Sequence, residues 1–175
     1  MSDQATIAWA PRRIAAGEEM TALRRFFMNC TWTGVVHANG MGAGSPAMDA
    51  IGRMACRDLM DGLWIACDCA QDQFVAGELL LTWQLQLIVG WDVLVREYRA
   101  VLVDSNGIVS ILRGEMQGDT FTMTPLTAVQ AAGEAATIRL VWDAADPQAL
   151  RWLNEASING GPWVLIEEYL VTPTT

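Results

Sequence analysis

The sequence contains no lysine, and its eleven basic residues are all arginine. Schiff-base chemistry on a side-chain amine, including covalent attachment of pyridoxal phosphate, is therefore excluded. With twenty acidic residues the chain has a formal charge of −9 at pH 7, so a nucleic acid would meet net repulsion where it needs a basic surface. We expect no nucleic-acid partner.

Long apolar runs are missing as well. The longest run, residues 79–95, is interrupted by polar residues and a glycine, and it falls short of the ~20 apolar residues that a membrane-spanning helix needs. The first thirteen residues hold no apolar segment of the kind found in signal peptides. The sequence therefore predicts a cytoplasmic protein without a membrane partner.

Metal-binding and redox motifs are also absent. The four cysteines, Cys30, Cys56, Cys67 and Cys69, show no C-x-x-C spacing. Cys67 and Cys69 lie two residues apart in a strand-like segment, where they would share one face. We expect all four to be reduced, small residues of the apolar core, with a disulfide or a reactive thiol as the alternatives. No metal site is predicted.

The pattern near the N-terminus predicts one amphipathic helix, over about residues 14–28. Met20, Leu23 and Phe27 recur at helical spacing, and acidic residues precede basic ones along the segment, as the helix dipole favours. The chain of 175 residues, 52% of them apolar, is typical of a single domain, here residues 1–175.

The rest of the chain, about residues 31–172, consists of short β-type runs separated by turn residues. Asp61-Gly62 is the strongest hairpin signal. The predicted strands lie at 31–38, 51–60, 63–70, 79–89, 97–103, 108–116, 120–124, 136–142 and 163–171, and segment 149–156 is assigned to a strand in preference to a helix. The segment Gly40 to Ser45 lacks the lysine of a phosphate loop, so it is not assigned to phosphate binding. We predict instead that it forms a mobile rim over the mouth of a barrel.

So many neighbouring antiparallel strands expose sheet edges unless the sheet closes. We therefore predict an all-β fold: a closed antiparallel β-barrel of about eight to ten strands, with the N-terminal helix capping one end. A curved sheet packed on helices is the alternative.

Several segments resemble the lipocalin-like, calycin-type β-barrel domains, most of which belong to bacterial families of unknown function. They are TWTG after the helix, LMDGLW at the first hairpin, IVGWDVLVREYRAVLVDSNG, RGEMQGDTFTMT and NEASINGGPWVLIEEYLVTP. The resemblance covers about residues 23–173. It implies a barrel that binds a hydrophobic small molecule, although some related barrels bind haem and a few are cofactor-free enzymes.

The haem-binding, nitrobindin-like relatives use a histidine near the C-terminus as the iron ligand. Here the only histidine is His37, on the first predicted strand, which makes haem the weakest of the three functions. Tyr169 is the one oxygen ligand to consider in its place.

Candidate site residues fall into two sets. Arginines inside a barrel would bind a carboxylate or phenolate, and tryptophans would contact a flat aromatic ligand. The ligand-binding candidates are Trp32, Arg53, Arg57, Trp64, Trp83 and Tyr169, and the acid–base candidates are His37, Tyr98, Arg113 and Glu167. His37 is the first choice as a general base, because it titrates near neutrality without perturbation. Alternation does not show which strand faces are interior, so the alternative is that Gln84, Gln86, Arg99 and Arg113 face water.

The eight tryptophans, the nine methionines and the missing catalytic motif favour binding of a hydrophobic or aromatic small molecule inside the barrel, with no cofactor. The alternative is a cofactor-independent lyase, isomerase or cyclase that uses acid–base catalysis, and a haem barrel comes third. Whether the protein is an enzyme, and whether it forms a homodimer, stays open at this point.

Overall fold

The computed structural model describes residues 15–131, 134–146 and 148–174. In these ranges the chain forms one α-helix, α1 (Glu18–Leu23), and eleven strands. The strands are β1 (Cys30–Val36), β2 (Met48–Leu59), β3 (Trp64–Val75), β4 (Glu78–Asp92), β5 (Glu97–Asp104), β6 (Val109–Gln117), β7 (Thr120–Pro125), β8 (Val129–Ala131), β9 (Glu134–Asp146), β10 (Ala149–Ile158) and β11 (Val164–Pro173).

Ten of these strands close into one antiparallel barrel. Strands β1 to β7 pair in sequence order, β7 pairs with β9, β9 with β10, β10 with β11, and β11 returns to β1. The three-residue strand β8 pairs with one end of β9, outside the ring. The predicted closed antiparallel barrel is therefore confirmed, and the curved open sheet packed on helices is wrong.

Tight turns join most neighbouring strands, as their turn residues predict. The chain reverses between β2 and β3 through the four residues 60–63, and Met60, Asp61 and Gly62 have φ values of 53°, 58° and 84°, in the left-handed region. Segment 149–156 is part of strand β10, as predicted.

The two ends of the barrel differ. Helix α1 and the turn after it cover one end, which we call the helix end. The opposite end, the open end, carries the β1–β2 loop at 37–47 and the turns at 76–77, 105–108 and 159–163. The glycine-rich segment at 40–45 therefore lies at the rim of the open end, where the sequence predicted it.

The helix is shorter than predicted. It ends at Leu23, and turns follow up to residue 29. Phe26 and Phe27 are both buried there against the ring of Phe121. In this turn both rings enter the barrel interior. The first residue of the predicted helix, residue 14, lies outside the described residues.

The cysteine prediction is half right. Cys30 and Cys69 are buried free thiols, and burial raises their pKa values to about 11 and about 12, so both stay protonated. Cys56 and Cys67, by contrast, form a disulfide. They stand directly opposite each other on β2 and β3, with Cα atoms 4.2 Å apart, a pairing that their separation of 11 residues in the sequence does not reveal.

In the described part of the chain, no helix has the length and hydrophobicity to cross a membrane. The cytoplasmic location expected from the sequence stays a prediction.

Candidate functional site

An aromatic column fills the barrel from the helix end to mid-height. Each ring lies with its centroid between 4.9 and 6.4 Å from at least one other member. The column consists of Trp91, Tyr98, Phe121, Phe26, Phe27, Trp142, Trp152, Trp32 and Tyr169. Aromatic pairs at these separations add ~0.5–1.5 kcal/mol each beyond their buried area, so this half of the interior is a rigid core.

A polar layer replaces the apolar core where the aromatic column ends. We use this name for Gln71, Gln73, Asn154, Glu167 and Tyr169, which are all buried. Such side chains are seldom buried without hydrogen-bonding partners, since each unpaired polar group costs about 1–3 kcal/mol. The layer is therefore the part of the interior in which a function is to be sought.

Strand pairing brings the polar layer together. Tyr169 and Glu167 on β11 stand opposite Trp152 and Asn154 on β10. On the other side, Tyr169 is separated from Gln73 by the small residues Gly34 of β1 and Ala50 of β2, which occupy the same row across the sheet. Residues far apart in sequence thus meet on one level of the barrel.

Hydrogen bonds link most of this layer into a chain. Trp32 Nε1 donates to Gln71 Oε1 (2.8 Å), and Gln71 Nε2 donates to the Tyr169 hydroxyl (3.1 Å). The Tyr169 hydroxyl in turn donates to the Glu167 carboxylate, which also accepts from Asn154 Nδ2. A buried carboxylate is therefore held at the end of a chain of neutral donors.

Two glycines make room for the rings at the start of this chain. A Cβ atom on Gly52 would lie 2.1 Å from Cε2 of the Trp32 indole, and one on Gly34 would lie 2.6 Å from Cδ1 of Tyr169. Ordinary carbon contacts are about 3.5–4.0 Å. Only glycine at these two strand positions lets both rings lie against the sheet.

Burial dominates the electrostatics of the layer. It raises the pKa of Glu167 above its ordinary value, although the hydrogen bonds from Asn154 and Tyr169 oppose the rise. Burial and the adjacent carboxylate of Glu167 raise the pKa of Tyr169 far above its ordinary value, so the phenol stays protonated. No basic residue in the described ranges is buried beside Glu167 to offset its charge.

Three buried atoms near this layer have no hydrogen-bond partner in the protein: the acceptors Asn154 Oδ1 and Gln73 Oε1, and the donor Trp152 Nε1. The first two belong to side chains that are only 5% and 2% exposed. Unpaired groups of this kind call for an explanation, of which a bound molecule is one.

The enclosed free space of the barrel is small. A cavity of about 20 Å³ lies among the rings of the aromatic column and the apolar side chains around Cys30, Met54 and Cys69. This is room for one water molecule. A ligand of several atoms must therefore enter from the open end and move side chains there.

A larger, open groove of about 540 Å³ lies on the outer wall, across β1 to β4, and includes Arg53, Asp68 and Gln84. None of the five polar-layer residues lines this groove. Its larger volume comes from openness to solvent, so the groove offers no desolvated polar contact.

The four predicted acid–base residues lie in different places. Glu167 is in the polar layer. Tyr98 is inside the barrel at the helix end, where its hydroxyl donates to the backbone carbonyl of Glu19 (3.1 Å). Arg113 is exposed on the outer face. His37 lies outside the rim, with Nε2 3.5 Å from the Glu168 carboxylate. The structure therefore does not assemble these four into one catalytic centre.

The ligand-binding candidates divide in the same way. Trp32 and Tyr169 meet in the interior, and Trp83, half-buried, donates its indole N–H to Asp104 (3.1 Å). The other three lie on the outer face: Arg53 is exposed, Arg57 is paired with Asp68, and Trp64 packs over Gly90.

Haem does not fit this interior. The side chain of His37 lies outside the barrel, and the Tyr169 hydroxyl is already engaged between Gln71 and Glu167.

Sequence reasoning missed Gln71, Gln73 and Asn154. A signal for Asn154 was present, because Leu150, Trp152 and Asn154 alternate on one strand face and two of them are strongly apolar. No comparable signal marks the two glutamines. The four residues 70–73, Ala-Gln-Asp-Gln, are all small or polar, so neither strand face is marked as the apolar one.

Comparison with known proteins supports the fold. No family model and no curated protein matches the chain. Sixteen chains of solved structures are similar. One is the crystal structure of Rv2717c from M. tuberculosis, with a TM-score of 0.61 and 11% sequence identity over 91% of this chain and 99% of that chain. At this identity the likeness establishes a shared barrel fold, and the name of that protein specifies neither a ligand nor a reaction.

Proposed function

We propose that the protein is a lipocalin-like binding barrel that holds a small organic molecule in the open-end half of its interior, against the polar layer. The observation that carries the proposal is the set of three unpaired buried atoms, Asn154 Oδ1, Gln73 Oε1 and Trp152 Nε1, the first of which belongs to the side chain that donates to the Glu167 carboxylate. A ligand that hydrogen-bonds to them offsets a cost that the empty protein bears.

The architecture supports this proposal. Barrels of about eight strands have interiors that side chains fill or that hold one small ligand, and ligand sites combine apolar walls with a few placed polar groups. Here the aromatic column is the floor of the site and the polar layer supplies the directional contacts. Glu167, at 9% exposure, is the most accessible of the buried polar side chains in the described ranges, so a ligand that enters from the open end meets it first.

Apolar side chains at the rim suit such an entry. Several are at least one-third exposed: Met41, Leu79, Leu80, Leu81, Ile158, Trp163 and Val164. These residues lie at the open end, on the β1–β2 loop, at the start of β4, and at and next to the β10–β11 turn. An organic ligand with an apolar body could make hydrophobic contacts with this rim as it enters the barrel.

The first experiment asks whether the purified protein carries a molecule. Denaturation followed by mass spectrometry, with a UV–visible spectrum before denaturation, is expected to release an organic compound without a Soret band. A thermal-shift screen of small aromatic and aliphatic compounds covers the case in which purification strips the ligand. No released compound and no stabilising compound in the screen would contradict the proposal.

A pair of variants locates the site. Asn154→Leu removes the unpaired oxygen and the donor to Glu167, and it is expected to abolish the thermal shift. Glu168→Gln is the matched control, because Glu168 is the next residue of β11 but lies on the outer face, paired with Arg151 and near His37. An unchanged thermal shift in Asn154→Leu would place the ligand elsewhere, and an equal loss in both variants would show that the loss is not specific to the polar layer.

One observation favours a second candidate function, acid–base catalysis on the bound molecule. The raised pKa of Glu167 and its hydrogen bond with Tyr169 are typical of a carboxyl group that transfers a proton. A lyase, isomerase or cyclase would then use Glu167 as the acid or base, without the other three candidates. Turnover of the released compound, lost in Glu167→Gln while binding remains, tests this function.

A further inference from the structure

The charge of the barrel interior is one-sided. Glu167 is the only buried acidic or basic residue in the described ranges. The nine arginines that the structure describes are all half-buried or exposed, and the sequence has no lysine. A ligand that reaches the polar layer therefore meets one carboxyl group and no cation.

Most of the unused hydrogen-bonding capacity near the layer is acceptor capacity, because two of the three unpaired buried atoms are amide oxygens and one, Trp152 Nε1, is a donor. The Tyr169 hydroxyl and Asn154 Nδ2 already donate to Glu167, and Gln71 Nε2 already donates to Tyr169. The two buried amide atoms without a hydrogen-bond partner are both acceptors, Asn154 Oδ1 and Gln73 Oε1. The free oxygen of Asn154 and the carboxyl group beside it suit a ligand group with several N–H donors.

Aromatic rings lie next to the polar layer. The ring centroid of Trp152 lies 5.1 Å from that of Tyr169 and 5.2 Å from that of Trp32, and the Tyr169 hydroxyl donates a hydrogen bond to Glu167. Ring faces attract organic cations, and the attraction is strongest where water is excluded. The net charge of −9 adds a long-range attraction for a positive ligand.

We propose that the ligand is an organic cation, a protonated amine on an apolar or aromatic body, whose ammonium group binds Glu167 and the free oxygen of Asn154. This inference rests on the proposed binding function and specifies the class of ligand. The sequence predicts interior arginines that would bind a carboxylate or phenolate ligand. An organic cation is proposed instead, because a carboxylate ligand would face Glu167 with no positive partner.

Three probes that share a ring system and differ in charge test the inference: tryptamine, its neutral alcohol analogue tryptophol, and the anionic indole-3-propionate. Isothermal calorimetry at pH 7 is expected to show at least tenfold tighter binding of tryptamine than of tryptophol, with indole-3-propionate the weakest. Glu167→Gln is expected to bring tryptamine to the affinity of tryptophol, whereas Glu168→Gln keeps the preference.

The outcomes separate the two proposals. If tryptophol or indole-3-propionate binds as tightly as tryptamine, the cation inference is wrong and the binding function stands. Release of an anionic compound from the purified protein would have the same consequence. If none of the three probes binds, no compound is released and no compound in the thermal-shift screen stabilises the protein, both proposals fail. The three wild-type measurements decide the matter even if Glu167→Gln does not fold, which far-UV circular dichroism reports.

Discussion

The substitution Gly52→Ala tests whether the strand backbone is what positions Trp32 in the site. The new methyl group would lie 2.1 Å from Cε2, 2.2 Å from Cζ2 and 2.5 Å from Nε1 of the indole. Relief requires about 1.5 Å of movement to reach an ordinary contact of about 3.5–4.0 Å. Trp32 has little freedom to move, because it is 1% exposed, bonded to Gln71 and packed on Trp152 and Tyr169.

The expected cost follows from these contacts. Overpacking of a filled core costs about 1–3 kcal/mol, and rupture of the Trp32–Gln71 hydrogen bond leaves a buried acceptor at about 1–3 kcal/mol. Alanine in a strand returns about 0.5–1 kcal/mol through the lower entropy of the unfolded chain. We expect Gly52→Ala to lower the free energy of unfolding by about 2–4 kcal/mol, or Tm by roughly 4–16 °C.

Urea unfolding, followed by tryptophan fluorescence and circular dichroism, measures this cost. Gly17→Ala is the control for a generic glycine substitution, since its Cβ would meet only the carboxylate end of the half-buried Glu19 side chain, which can rotate away. In the double variant Gly52→Ala/Trp32→Phe the clash is relieved, so it is expected to be about 1–3 kcal/mol more stable than the sum of the single effects. A free energy of unfolding within about 0.5 kcal/mol of wild type for Gly52→Ala, the size of an ordinary surface effect, would refute the reasoning.

Three further predictions concern pH, the disulfide and the helix end. Because the native pKa of Glu167 is raised, its contribution to stability is complete below its unfolded pKa of about 4.3 and is lost as pH rises through the native value. Glu167→Gln should therefore be more stable than wild type at pH 7 and equal to it near pH 4, as measured by urea unfolding. Replacement of Cys56 and Cys67 by alanine opens a loop of about a dozen residues and should lower the free energy of unfolding by about 3 kcal/mol. Tyr98→Phe removes the hydroxyl bond to the backbone of α1 and should cost about 1 kcal/mol and increase amide hydrogen exchange in that helix.

Each of these three predictions can be contradicted by a specific result. A stability gain that does not change between pH 4 and pH 7, or one that Glu168→Gln shares, would remove the buried charge as its cause. The disulfide prediction fails if reducing agent leaves the Tm of the wild type unchanged. Uniform exchange throughout the barrel in Tyr98→Phe would show that the hydroxyl does not tether the helix.

Local patterns in the sequence account for much of the barrel. Alternation along β5 placed Tyr98, Ala100 and Leu102 on one face and charged residues on the other, and the apolar face is indeed the interior. The turn at Asp61-Gly62 was predictable because two adjacent residues with positive φ suit a tight hairpin. Closure itself followed from the number of neighbouring strands and the cost of exposed edges.

The candidate site was only partly predictable. Glu167 and Tyr169 were named because both are polar and share a face of the last strand, and both are in the polar layer. Asn154 and Gln73 could not be assigned to that layer with them, because cross-strand neighbours depend on register between strands far apart in sequence. Arg53 and Arg113 looked equally suited to a ligand, yet closure of the barrel turned their faces to solvent.

What the sequence by itself determined is the alternation of each strand, the positions of the turns, the overall negative charge and the absence of lysine, since these depend on residues close together along the chain. Which side chains meet was decided by the tertiary structure. Barrel closure chose the interior face of every strand, and register aligned Asn154 with Glu167 and Cys56 with Cys67. The tertiary structure also decided that the helix ends at Leu23 and that Phe26 and Phe27 are buried from the turn that follows it.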